Sequence, residues 1–178
     1  MTRWRSGASP GVRPLTAGET ALAASLFGES IEYGRVRIAV RAWGRAAIAF
    51  GSRITFPPAT GAPLDFAAEG PGDRAWLVHE LTHVWQFQTW GARTLMSWAA
   101  TALSGGYGPG LPGYRYAAPL RAWETYNLEQ QASIVEHAYL LAETGACARA
   151  PAGASLEDYR RCAPFVRPYR VGTGASPR

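Results

Sequence analysis

A chain of 178 residues can bury a core without staples, and 47% hydrophobic against 17% charged residues excludes a disordered chain. The formal charge of +5 rests on eighteen basic residues that are all arginine and scattered without a run of three, which argues against a nucleic-acid patch. No stretch approaches the roughly 18 apolar residues that a membrane-spanning helix needs.

Residues 1–14 carry Gly, Ser, Pro and Arg without periodicity and read as a flexible arm. The arm lacks the apolar stretch of a signal peptide, so a cytoplasmic protein is expected, with export by a specialised secretion system as the alternative route. Thr16-Ala-Gly-Glu19 is a capping box that opens a helix near 17–27, with Leu22, Ala23 and Leu26 on one face and Gly28 as its stop. In Arg35–Arg41, Val36, Ile38 and Val40 alternate with arginines, the period of a strand with one buried and one wet face. Short strands are expected at Ala46–Phe50 and Arg53–Phe56, joined at Gly51-Ser52, with a short extended piece at Leu64–Phe66. These make a small antiparallel meander.

From Asp73 the pattern turns helical. Asp73 reads as N-cap of a helix over 74–90 that Gly91 ends, and an apolar helix is expected near 92–103, before the Gly/Pro-rich loop Ser104–Gly113. Pro119 suits the first turn of a long helix through Thr144, closed by Gly145, and a short helix is expected near 155–161. The reading is a single α+β domain over 15–165 with a disordered tail at 166–178. Cys147 and Cys162 lack the close spacing of a metal-binding pair and read as two reduced thiols, with a disulfide clipping 147–162 in an oxidising compartment as the alternative.

The chemistry concentrates in Trp76–Gln86, which contains His79-Glu80-Leu81-Thr82-His83. Side chains at i and i+4 project from one helix face, so His79 and His83 can reach a single Zn2+ ion. Glu80 lies about 100° round the helix, placed to act as general base on a zinc-activated water without being a ligand. Leu77, Leu81 and Val84 form the opposite, core-facing stripe. Two of the three histidines fall in this motif.

A catalytic zinc takes a third protein ligand and keeps one position open. Glu124, Glu129, Glu136 and His137 are the candidates. Glu129 is favoured, because Ala132 one turn later lets the long helix approach closely, whereas Glu136 and Glu143, two turns apart, suit a wet face. An oxyanion donor is sought among Tyr114, Tyr116 and Tyr126, with Tyr116 chosen. Trp76, Trp85, Trp90, Trp98 and Trp123 read as core or pocket wall.

On these residues the chain resembles the gluzincin branch of the zincins. It is similar, more closely, to a bacterial family of small metallopeptidases associated with Rhs/Vgr elements. The stretches that carry the likeness are Arg13–Glu19, Phe27–Ile31, Tyr33–Ile38, Ile54–Pro57, His79–Gln86 and Tyr126–Ala132, within residues 13–140. The resemblance implies a zincin-like fold, zinc at His79, His83 and Glu129, Glu80 as general base, and a Rhs/Vgr-type secretion partner. Position 133, where many gluzincins carry a supporting acid, is Ser133 here. The expected activity is hydrolysis of peptide bonds in a protein or peptide substrate. Two other readings stand beside it: a non-catalytic, zinc-stabilised adaptor or effector-associated domain, and a secreted antibacterial toxin using the same chemistry. A purely structural zinc site would not need Glu80.

Overall fold

The computed structural model describes residues 11–41, 46–57, 63–96 and 112–163. Trp98, most of the loop Ser104–Gly113 and the tail at 166–178 lie outside the described residues, as do residues 1–10 of the arm. The architecture is α+β. Its strands are β1 (Val12–Pro14), β2 (Arg37–Val40), β3 (Ile48–Phe50) and β4 (Arg53–Phe56). The helices are α1 (Ala17–Phe27), α2 (Pro71–Trp90), α3 (Leu128–Thr144) and α4 (Leu156–Cys162).

The sheet order is β1-β2-β4-β3, and the sheet is mixed rather than antiparallel. β3 and β4 form the expected hairpin, but β4 inserts beside β2 and runs parallel to it, pairing Ile38 with Ile54 and Val40 with Phe56. Alternation dictates which face of a strand is buried, not which strand it sits next to. The parallel register aligns the apolar faces of both strands, and Ile38, Ile54 and Phe56 are fully buried.

β1 replaces the last residues of the expected arm, pairing antiparallel with β2. Arg13 anchors it with a bidentate ion pair to Glu19 at 2.7 Å for each nitrogen. Glu19 is fully buried, completes the capping box of α1 through Thr16 N–H, and also accepts the Phe66 N–H at 2.9 Å. The capping glutamate is thus a hub that ties the arm, α1 and the Pro63–Phe66 segment together. The extended backbone of that segment is short: Pro63 makes a β-bridge and Asp65 is extended, and Asp65 then caps a 3-10 turn at Phe66–Ala68.

α2 begins earlier than its sequence suggests. Gly70 is the N-cap, Pro71 fills the first turn, where a missing N–H costs nothing, and Asp73 sits inside that turn near the positive end of the dipole. After Gly91 the chain is helical over residues 92–96, and the rest of the expected 92–103 helix lies outside the described residues.

α3 begins later. Asn127, not Pro119, is the start: its Oδ1 accepts the Gln130 N–H at 2.8 Å, while the Gln130 side chain accepts the Asn127 N–H at 3.1 Å. This reciprocal cap outweighs the lone proline upstream, and residues 119–127 are irregular apart from a 3-10 turn at Trp123–Thr125. Gly145 closes α3 in the left-handed region at φ 73. The core joins α1, the inner sheet face, α2, α3 and Tyr159 of α4. Among the described residues no helix is long and apolar enough to cross a membrane.

Candidate metal centre

α2 is buried along most of its length, with Leu77, Leu81 and Val84 fully inaccessible. That core stripe turns His79 and His83 toward α3, one helical turn apart, with ring centroids 5.1 Å apart. Because Asn127 caps α3, Glu129 falls in its first turn, where a carboxylate is favoured by the helix dipole. Ala132, one turn further, is fully buried.

Glu129 Oε2 stands 3.4 Å from His79 Nε2 and 3.3 Å from His83 Nε2. These three residues form a group whose ligand atoms all lie within 4.8 Å of one another. Charge-assisted hydrogen bonds are shorter than this, about 2.7–2.9 Å. Atoms held about 2.0–2.1 Å from a tetrahedral zinc stand roughly 3.3 Å apart, so the spacing fits a shared ion. Glu129 Oε2 is buried and has no hydrogen-bond partner, an acceptor that a cation would satisfy.

The far side of each imidazole is engaged. His79 Nδ1 lies 3.1 Å from Glu136 Oε2, and the other oxygen of Glu136 accepts from Arg149. His83 Nδ1 lies 2.8 Å from Gln86 Oε1. With Nδ1–H donated in each case, both Nε2 lone pairs would face a carboxylate oxygen, which is repulsive unless a positive charge sits between them.

The electrostatics point the same way. Burial works against an imidazolium at His79, but Glu129 and Glu136 override it and hold its pKa at about 10. His83 is likewise raised against burial, chiefly by Glu129. Burial also opposes ionisation of Glu129, yet His83 and His79 hold its carboxyl well below the ordinary range. Glu136 is lowered against burial by His79 and Arg149. Glu80 is buried beside this group but outside the converging trio, and burial raises its pKa while the two histidines pull the other way. Three carboxylates around two imidazoles make a buried pocket suited to a cation.

The remaining sequence candidates are placed as follows. Glu124 is exposed. Glu136 is buried behind His79 rather than on a wet face, its Oε2 3.1 Å from His79 Nδ1. His137 turns away from the trio: its Nδ1 meets the Tyr116 hydroxyl, and burial lowers its pKa to about 4. The Tyr116 hydroxyl also meets that of Tyr159 at 2.9 Å, and burial drives its pKa up. Tyr126 donates no contact to the trio; its hydroxyl accepts the Arg121 N–H at 2.8 Å. Tyr114 is the tyrosine beside the centre, its ring stacked on His79 at 6.2 Å and 12°. Trp85 and Trp123 are buried, while Trp76 and Trp90 pack partly buried against the core.

Sequence reasoning missed Glu136, Gln86 and Arg149 as supports. The signal for Glu136 was present, since it lies two turns from Glu129 and therefore on the same stripe of α3.

No family model matches the chain. The chain is 33% identical over 139 residues to the type VI secretion system spike protein VgrG2b of Pseudomonas aeruginosa. That match takes in 72% of this chain and spans only 13% of the spike protein. Among solved structures, the effector domain of Pseudomonas aeruginosa VgrG2b is similar with a TM-score of 0.62 and 26% identity, covering 86% of this chain and 83% of that one. The two share ancestry and an α+β fold.

Proposed function

We propose that this relative of the VgrG2b effector domain is a zinc-dependent metallopeptidase of zincin type, delivered through a Vgr-type secretion spike. The observation that carries the reading is the convergence of His79 Nε2, His83 Nε2 and Glu129 Oε2, with Glu80 adjacent on the same buried helix. When bound, zinc would polarise the scissile carbonyl and acidify the attacking water.

The chain's own residues would divide the remaining work. His79, His83 and Glu129 would hold the ion, and Glu136 and Gln86 would keep the imidazoles turned toward it. Glu80 would take the proton from the attacking water at its carboxylate and return it to the leaving amine. Tyr114, stacked on His79, is better placed than Tyr116 to meet a substrate, because the Tyr116 hydroxyl is engaged with His137 and Tyr159. The relative's role as a secretion spike supports delivery by such a system as the route by which the domain meets its protein or peptide substrate.

The test is elemental analysis of purified protein together with cleavage of a peptide library. Wild-type protein should carry one zinc per chain and cleave, while Glu80→Gln should keep the zinc and lose about 10²- to 10⁴-fold in rate. Loss of zinc from Glu80→Gln would make Glu80 a ligand instead of a base. Wild-type protein without zinc would overturn the metallopeptidase reading.

A further inference from the structure

We propose that Gln86 and Gln131 form a buried amide relay that fixes the tautomer of His83 and thereby presents its Nε2 lone pair to the metal. The proposal rests on reading the trio as a metal centre.

A neutral imidazole carries one donor and one acceptor, so ligation through Nε2 requires the proton on Nδ1. Gln86 is fully buried, and its amide has no solvent to choose among. Its Oε1 faces His83 Nδ1 at 2.8 Å, while its Nε2 donates to the Leu128 carbonyl at 3.1 Å and to Gln131 Oε1 at 3.0 Å. Gln131 in turn donates from Nε2 to the Trp123 carbonyl at 3.2 Å. Main-chain carbonyls can only accept, so these two anchors set the polarity of both amides. Reversing Gln86 would press its oxygen against the Leu128 carbonyl and against Gln131 Oε1, leaving buried acceptors facing one another. With the polarity fixed, the atom that meets His83 is an acceptor, and Nδ1 must carry the hydrogen.

The anchors belong to the same stretch that supplies the third ligand. Leu128 and Gln131 flank Glu129 in the first turn of α3, and Trp123 lies in the turn before it. Thr94 holds the other side of Gln86, donating its hydroxyl to the Gln86 main-chain carbonyl at 3.0 Å. Chemistry also explains an amide here and a carboxylate behind His79. Glu80, Glu129 and Glu136 already bury three carboxyl groups in the pocket. A fourth behind His83 would add uncompensated negative charge, whereas Glu136 has Arg149 to balance it. Gln86 and Gln131 are positioning residues: they act through His83.

The experiment follows measurement of wild-type zinc stoichiometry. Zinc affinity is read by competition with a chromophoric chelator, and long-range 1H–15N spectra of the zinc-free protein with His83 neutral, where no metal dictates the tautomer, report which His83 nitrogen bears the hydrogen. Wild-type protein should show Nδ1–H alone. Gln86→Met should bind zinc about 10- to 100-fold more weakly and show a mixture of His83 tautomers. Gln131→Met should move both readouts the same way by less, and it decides the matter if Gln86→Met does not fold. Gln86→Glu keeps an acceptor opposite Nδ1 and should retain the single Nδ1–H signature. Weakened affinity with an unchanged Nδ1–H signature in both Met variants would mean packing alone, and unchanged affinity would mean no role; either overturns the relay. Wild-type protein that takes up no zinc overturns the metal reading first and is separately visible in the stoichiometry.

Discussion

α2 and α3 meet along one antiparallel seam, and its two ends use the same side-chain pairing for different purposes. At one end Arg74 holds Glu143 at 2.8 Å, both partly open to solvent. Further along, His79 meets Glu136 and then His79 and His83 share Glu129, all but closed to solvent. Glu143, Glu136 and Glu129 recur every two turns of α3, so one stripe of acids faces an arginine, one imidazole and a pair of imidazoles in succession. What changes from end to end is burial and the partner. At the Arg74 end the arginine brings its own positive charge to the carboxylate. Two buried imidazoles share one buried carboxylate oxygen, an acceptor that a proton on either ring or a metal ion between them would satisfy.

That contrast is broken most severely at the centre. Glu129→Ala removes the one residue that both imidazoles face, and zinc retention after dialysis should fall from one per chain to near zero. Elemental analysis beside circular dichroism separates this from unfolding. Full occupancy in a folded Glu129→Ala protein would move the third ligand elsewhere and dissolve the distinction between the two ends.

Glu136→Ala should give an intermediate result. It leaves the three proposed ligands in place but removes the oxygen opposite His79 Nδ1 and strips Arg149 of its partner. Zinc affinity should drop about 10- to 100-fold by chelator competition. Affinity equal to wild type would return Glu136 to the class of Glu143, a seam acid without influence on the site.

The sequence made some of this seam plain and hid the rest, for physical reasons. His79 and His83 were legible because helical spacing is local: i and i+4 share a face whatever surrounds them. The capping box at Thr16 and Glu19 was legible on the same grounds, although nothing local announced that Glu19 would also hold Arg13 and Phe66. Glu136 was misjudged because a stripe of acids looks alike whether it faces water or another helix. Only packing against α2 distinguishes the two. The start of α3 went to Pro119 because proline is conspicuous, while the Asn127–Gln130 cap is a weaker pattern that the fold nonetheless uses. The parallel β2–β4 pair was out of reach, since periodicity assigns faces and not neighbours.

The smallest effect belongs to the open end. Arg74→Met breaks the ion pair with Glu143 but keeps most of the apolar stem that the arginine lays along α2. Partly exposed pairs contribute about 0–1 kcal/mol, screened by salt, so the melting temperature should fall by no more than about 2–4 °C in a chain of this size. Raising the salt concentration should shrink the difference between variant and wild type. Zinc affinity should not move, because no bond from Arg74 or Glu143 reaches either histidine. A loss of affinity on the scale of Glu136→Ala would mean that the seam acts as one rigid unit, with its open end setting the geometry of the buried one.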